Sequence, residues 1–134
     1  GLRLDDGRVQ ADFARDVMMG RDITLQSSGA AQRTYTYVSD AVTGLFTAML
    51  LGESGAFNIS DVSGLVSIRE LAENFIAARP EKRLEMKFET ESDRFARNNV
   101  KFLGLDSSKL ASLGWQPRVS LSEGIDRFLT HLEE

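Results

Sequence analysis

Arg33 stands in a short polar loop, directly after Gly29-Ala30-Ala31-Gln32 and ahead of an alternating run through Tyr35, Tyr37 and Val38. A guanidinium at the entry to a strand presents a planar fork of donors that matches phosphate oxygens bidentately, and small residues before it let the backbone come close to a ligand. The chemistry open to this spacing is anion binding; the competing reading is an ordinary solvated arginine in a turn. Other polar groups carry less. Asp5 and Asp6 precede Gly7 and read as a turn, His131 is a single imidazole near the end of a helix, and Asp40 reads as a helix cap. Tyr35 and Tyr37 alternate as strand aromatics that fill a core or stack on a base. No nucleophile, base and orienting group are arranged together.

Composition narrows the function further. A chain of 134 residues with 42% hydrophobic residues suits one domain with one core. Sixteen basic against twenty acidic residues give a net charge of −4, without a basic block, which removes the electrostatic footprint of a nucleic-acid binder. There is no cysteine and only one histidine, so neither a disulfide framework nor a thiolate or multi-histidine metal centre is expected. No apolar run approaches the roughly 20 residues of a membrane span and the start does not resemble a signal peptide, so the expected location is cytoplasmic. A start at Gly1, without methionine or a cap, suggests part of a longer polypeptide.

The elements that must position Arg33 follow from periodicity. Val9, Phe13 and Val17, with Met18, form a helical stripe between Arg8 and Gly20. Ile23 to Gln26 is a β-prone run, broken by Ser27-Ser28-Gly29. After Asp40, Val42, Leu45, Phe46, Met49 and Leu50 follow helical spacing, which predicts a core face, and Gly52 ends that helix. Ala56 to Ser60 reads as a short strand and Asp61 to Gly64 as a turn. Ser67 and Glu70 have capping-box spacing, followed by the stripe Ile68, Leu71, Ala72, Phe75 and Ile76 up to Pro80. Leu84, Met86 and Phe88 alternate as a half-exposed strand, and residues 90–99, with Arg94 and Arg97, read as a loop. From Asp106 a short helix leads to Gly114 in a left-handed C-terminal position, with Trp115 as a packing anchor behind it. Ser120 and Glu123 repeat the capping spacing, and the last helix buries Leu121, Ile125, Phe128, Leu129 and Leu132. The expected fold is one α/β domain over residues 1–134, helix-rich with short strands.

Several of these stretches resemble one family. Asp5-Asp6-Gly7-Arg8-Val9, Gln32-Arg33 with Tyr37-Val38-Ser39-Asp40, the Ala-Phe-Asn-Ile run at 56–59, and DSSKLASLGWQP followed by SLSEGI at 106–125 are similar to segments of the extended short-chain dehydrogenase/reductases, the sugar-nucleotide epimerases, dehydratases and decarboxylases. The resemblance extends over nearly the whole chain and implies the C-terminal substrate-binding domain, lacking the Rossmann half that carries NAD. Neither the G-x-x-G-x-x-G fingerprint nor a Y-x-x-x-K pair is present: Tyr35 and Tyr37 are followed four residues later by Ser39 and Ala41. The resemblance therefore implies binding without turnover by this chain, a UDP- or dTDP-sugar as ligand, no cofactor of its own, and NAD in the parent enzyme. It further implies that Arg33 contacts the diphosphate, that Arg8 and Val9 line the nucleotide, that Thr24 and Gln26 pass the base, and that Asn58 matches a family asparagine. A second basic contact falls to Lys101 by spacing or to Arg97 or Arg94 by side-chain type. Relatives dimerise through the Rossmann half, so this chain is expected to be monomeric and the parent a homodimer. The alternative is a non-catalytic interaction or regulatory module that keeps the fold.

Overall fold

A computed structural model describes residues 4, 5, 7–89 and 101–134. The elements are α1 (Val9–Met18), β1 (Ile23–Leu25), β2 (Gln32–Thr34), α2 (Val38–Leu51), β3 (Leu65–Ser67), α3 (Ile68–Ala77), β4 (Met86–Phe88), β5 (Phe102–Leu103), α4 (Ser108–Ala111) and α5 (Leu121–Glu133). Single 3-10 turns lie at Val62–Gly64 and Pro80–Lys82. The expected α/β class, helix-rich with short strands, is what the chain adopts.

Helices α1, α3 and α5 turn their apolar stripes toward one another and toward β1, so that Phe13, Val17, Ile23, Leu71, Phe75 and Leu129 share one core. Phe13 and Phe75 meet edge to face with centroids 6.0 Å apart. Gly20, at φ +65°, stops α1 as its sequence position predicts. Ser67 caps α3 with a complete capping box, its hydroxyl accepting from the Glu70 amide while the Glu70 carboxylate accepts from the Ser67 amide. At α5 only half of that box forms. Ser120 accepts from the Glu123 amide, but the Glu123 carboxylate is taken by Arg127 at 2.6 Å.

Two small sheets complete the fold. β1 and β4 run parallel in the register Ile23↔Met86, Thr24↔Lys87, Leu25↔Phe88. β2 lies between β3, antiparallel with Arg33↔Val66, and β5, parallel with Arg33↔Leu103. β3 and β5 are too short to leave a period in the sequence, and neither was expected. The loop read over 90–99, with Arg94 and Arg97, and also Asp6, lie outside the described residues.

The structure corrects three expectations around α2. The strand-like alternation stops at Thr34, and the helix begins at Val38 with Tyr37 as its N-cap, so Asp40 is a first-turn residue rather than the cap. Its buried carboxylate instead accepts from the Arg118 and Val119 amides at 2.9 Å each, while its carbonyl accepts from the Trp115 indole at 3.0 Å. Second, the residues expected to form a core face on α2 are exposed, because only the side bearing Asp40 and Gly44 packs, with Gly44 close against Trp115 and Ile59. Third, residues 56–60 are not a strand; side chains, rather than a neighbouring strand, hold them in place.

The two amide bonds of Asp40 predict its variant. Asp40→Ala leaves two donors without their acceptor and is expected to destabilise the chain by roughly 1.5–3 kcal/mol, the range for hydrogen bonds to a charged group. Asp40→Asn keeps one acceptor oxygen and loses less. Urea denaturation checks this; an unchanged midpoint for Asp40→Ala would show that the amides find other partners.

Candidate functional site

Arg33 occupies the middle of the central strand of its sheet and is half-buried. Its guanidinium donates to the Gln32 carbonyl at 2.7 Å, which leans the fork back over the strand. The Gln32 amide donates to the Lys101 carbonyl at 2.8 Å, so the chain entering β5 brings Lys101 alongside the Arg33 strand with its side chain exposed. Sheet pairing thus gathers two of the basic candidates from positions far apart in sequence.

The loop before Arg33 is pinned to the start of α3. The Arg69 and Ile68 amides donate to the Gly29 and Ala31 carbonyls at 3.0 Å each, and the Arg69 guanidinium reaches the Ser28 carbonyl at 3.3 Å. Gly29 adopts φ +69°, and a Cβ there would lie 2.9 Å from a Leu25 methyl and 3.0 Å from the Arg69 nitrogen. The close approach that its small size permits in this structure is to Leu25 and to the start of α3.

Thr24 is exposed at the centre of β1 and Gln26 is exposed just beyond it. Arg8 is the exposed N-cap of α1, and Val9, half-buried, opens that helix against the core. Asn58 is exposed, but its amide donates to the Asp106 carbonyl at 2.8 Å and ties the 56–60 segment to the approach of α4.

A groove of about 970 Å³ opens between the start of α1, residues 35–38 and α5. Leu71, Phe75 and Ile125 belong to its apolar lining, and Arg8, Arg127 and His131 bring polar groups to it. Arg127 sits over the Tyr37 ring at 5.6 Å from its centroid, within range of a cation–π contact. Of the sequence candidates for the site, Arg8 lines this groove and Arg33 does not; Tyr35 also lines it, its hydroxyl pushed above its ordinary value by burial while the Arg33 charge pulls it down. Arg127 was not singled out as a ligand contact from sequence, and Tyr35 was read there as an aromatic that fills a core or stacks on a base. Tyr35 alternates like a core residue, and Arg127 follows Glu123 at the spacing of a surface ion pair. Among the described residues no cluster of His, Cys, Asp and Glu could hold a metal ion. Among them, too, no helix is long and apolar enough to cross a membrane.

No family model matches the chain. Among curated proteins it is 34% identical over 126 residues to UDP-glucuronic acid decarboxylase 6 of Arabidopsis thaliana, an alignment covering 92% of this chain and 35% of that protein. It is 27% identical over 132 residues to UDP-glucuronic acid decarboxylase 1 of Danio rerio, covering 97% of this chain and 30% of the relative. The chain thus spans about a third of the length of the curated relatives it matches. Among solved structures, UDP-glucose 4-epimerase from Thermotoga maritima, crystallised with UDP-glucose, superposes with a TM-score of 0.78 at 26% identity, covering 94% of this chain and 39% of that one. The fold is shared as well with UDP-glucuronic acid 4-epimerase from Bacillus cereus, in complex with UDP-glucuronic acid and NAD, at a TM-score of 0.75 and 20% identity over 94% of this chain and 40% of that one. The chain's homologues are thus UDP-glucuronic acid decarboxylases and its structural neighbours extended short-chain dehydrogenase/reductase epimerases and dehydratases, matched over most of this chain in the manner of a C-terminal part.

Proposed function

We propose that this domain binds the nucleotide-diphosphate end of a UDP- or dTDP-sugar, as the C-terminal part of an NAD-dependent epimerase, dehydratase or UDP-glucuronate decarboxylase-like enzyme. The observation that carries this reading is the placement of Arg33 on the central strand, with Lys101 brought beside that strand by the Gln32 amide bond. Two cationic side chains, one on β2 and one at the entry to β5, suit a diphosphate, which offers several acceptor oxygens along one short axis. Arg33 supplies directional bonds and Lys101 a movable point charge. Arg8, Val9, Thr24 and Gln26 would line the nucleoside, with Asn58 at the edge of the site, and Arg97 is the other basic residue the resemblance offers. The solved epimerase with UDP-glucose adds support from a relative's ligand.

Reaction chemistry belongs elsewhere in such an enzyme, since this chain contains neither the phosphate-cradling glycine turn nor the tyrosine-lysine pair. NMR titration of the isotope-labelled chain tests the assignment. UDP is expected to move the amide signals of Arg33 and its β2 and β5 neighbours, with uridine moving them far less and NAD not at all. Saturable NAD binding would contradict the domain assignment, and shifts confined to the groove near Arg127 and His131 would relocate the site.

A further inference from the structure

We infer, on the basis of the diphosphate reading of Arg33, that the sheet face beside this arginine takes a neutral sugar and disfavours a uronic acid, with Leu103 as the residue that sets the preference. β2 and β5 run parallel with Arg33 opposite Leu103, and directly opposed residues project from the same face of a sheet. Phe102 and Gly104 belong to the other face, where a Cβ on Gly104 would meet the Phe102 ring at 2.9 Å and a Thr34 methyl at 3.3 Å. By the same alternation Lys101, whose carbonyl accepts from the Gln32 amide, enters on the Arg33 face two residues before Leu103. Leu103 is 58% exposed and Leu105, two residues further on, 50%.

Cations stop where these leucines begin. Between Lys101 and Lys109 the chain reads Phe-Leu-Gly-Leu-Asp-Ser-Ser, and the Lys109 ammonium is turned to the Ala56 carbonyl at 3.1 Å and to the Phe57 ring, 4.1 Å from its centroid. The one charge within that run is negative: Asp106, whose carboxyl the Ser108 amide holds below its ordinary 3.8. The Asp106 carbonyl accepts from Asn58, which stands at the edge of the proposed site. On β2 the next residue along the Arg33 face is Tyr35, a half-buried phenol that burial keeps neutral.

The nucleoside candidates fix which end of the ligand lies here. Val9 on α1 and the strand β1 that carries Thr24 share one core with α3 and with Val66 of β3, whereas β5 is the opposite edge of its sheet and puts no residue into that core. A nucleoside diphosphate laid past Thr24 and Arg33 therefore extends its sugar toward Leu103. A carboxylate on that sugar would exchange water for leucine side chains and approach Asp106, with no cation among the described residues of this edge to pair it. A neutral sugar rests its C–H groups on the leucines and loses nothing ionic. The curated relatives are named for UDP-glucuronic acid, so this preference runs against their names.

Calorimetric competition on the full-length polypeptide compares UDP, UDP-glucose and UDP-glucuronic acid, first without any substitution. UDP-glucose is expected to bind about tenfold or more tightly than UDP-glucuronic acid, the effect of a charge that loses part of its hydration without gaining a partner. Leu103→Arg sets a guanidinium beside that of Arg33 and should erase or reverse the preference, while Leu103→Met, which stays neutral and apolar, should keep it. Each protein is read as the ratio of two sugars on the same nucleotide, so a general change in diphosphate affinity or in the folded fraction cancels. Equal or tighter binding of UDP-glucuronic acid by the unsubstituted protein would overturn the inference, as would a preference that Leu103→Arg leaves unchanged. Absence of UDP binding removes the diphosphate reading and this inference together, whereas UDP binding without a preference between the two sugars removes this inference alone.

Discussion

Replacing Arg79 by methionine is expected to lower the stability of the domain by about 2–3 kcal/mol, a large fraction of the margin of a domain this size. Arg79 is buried at the end of α3, yet its guanidinium makes five hydrogen bonds: two to Glu133 at 2.8 and 3.0 Å, one to Asp126 at 2.8 Å, one to Thr130 at 3.2 Å and one to the Ala78 carbonyl at 2.7 Å. It fastens α3 to the last helix, on the rim of the core that both share. The side chains of Asp126 and Glu133 are 62% and 38% exposed, so water can resolvate them once the cation is gone. This keeps the expected loss below the 3–5 kcal/mol of a charge stranded in a dry interior. Methionine retains much of the stem's packing, which isolates the polar part.

The same cluster sets a pH dependence. The hydrogen bond from Arg79 holds the Glu133 carboxyl below its ordinary 4.5. A carboxyl depressed in the folded state contributes stability that is complete above its unfolded value and disappears as the pH falls through the folded one. Denaturation midpoints of the parent should therefore decline below pH 4.5 more steeply than those of Arg79→Met. Parallel pH profiles for the two proteins would show that the pair contributes nothing of the kind.

How far the sequence reveals this fold depends on how much of each element is written locally. α1, α3 and α5 could be read because each carries its own stripe and its own stop or cap, and each stripe is buried by elements within the chain. α2 carries an equally clear stripe but exposes it, since periodicity reports that a face is apolar and not what covers it. Segment 56–60 fails for a related reason: a strand is a property of a pair, and alternation in one partner does not create the other. Arg79 was invisible because its three side-chain partners lie about fifty residues away, beyond any local rule. At the candidate site, Arg33 was singled out from its loop and the family pattern. Lys101 comes alongside the Arg33 strand through the pairing of β2 with β5, which two residues of strand do not announce.

The diphosphate assignment makes Arg33 the residue whose loss matters most for binding. Arg33→Ala removes a charge-assisted contact, worth about 1.5–3 kcal/mol for a hydrogen bond to a charged group. At roughly 1.4 kcal/mol per tenfold, this corresponds to a loss of about ten- to hundredfold in affinity. Arg33→Lys should recover only part of it, because a point charge lacks the planar fork. Stability should change little, since the side chain is only half-buried and the guanidinium bond to the Gln32 carbonyl is a local one between sequence neighbours. A structural arginine would show the reverse, a lowered melting temperature with affinity retained. The deciding measurement is calorimetric titration of UDP and dTDP into the full-length polypeptide, with and without Arg33→Ala. A loss of about tenfold or more at an unchanged melting temperature is the predicted result, and equal affinity in the two proteins would contradict the diphosphate clamp.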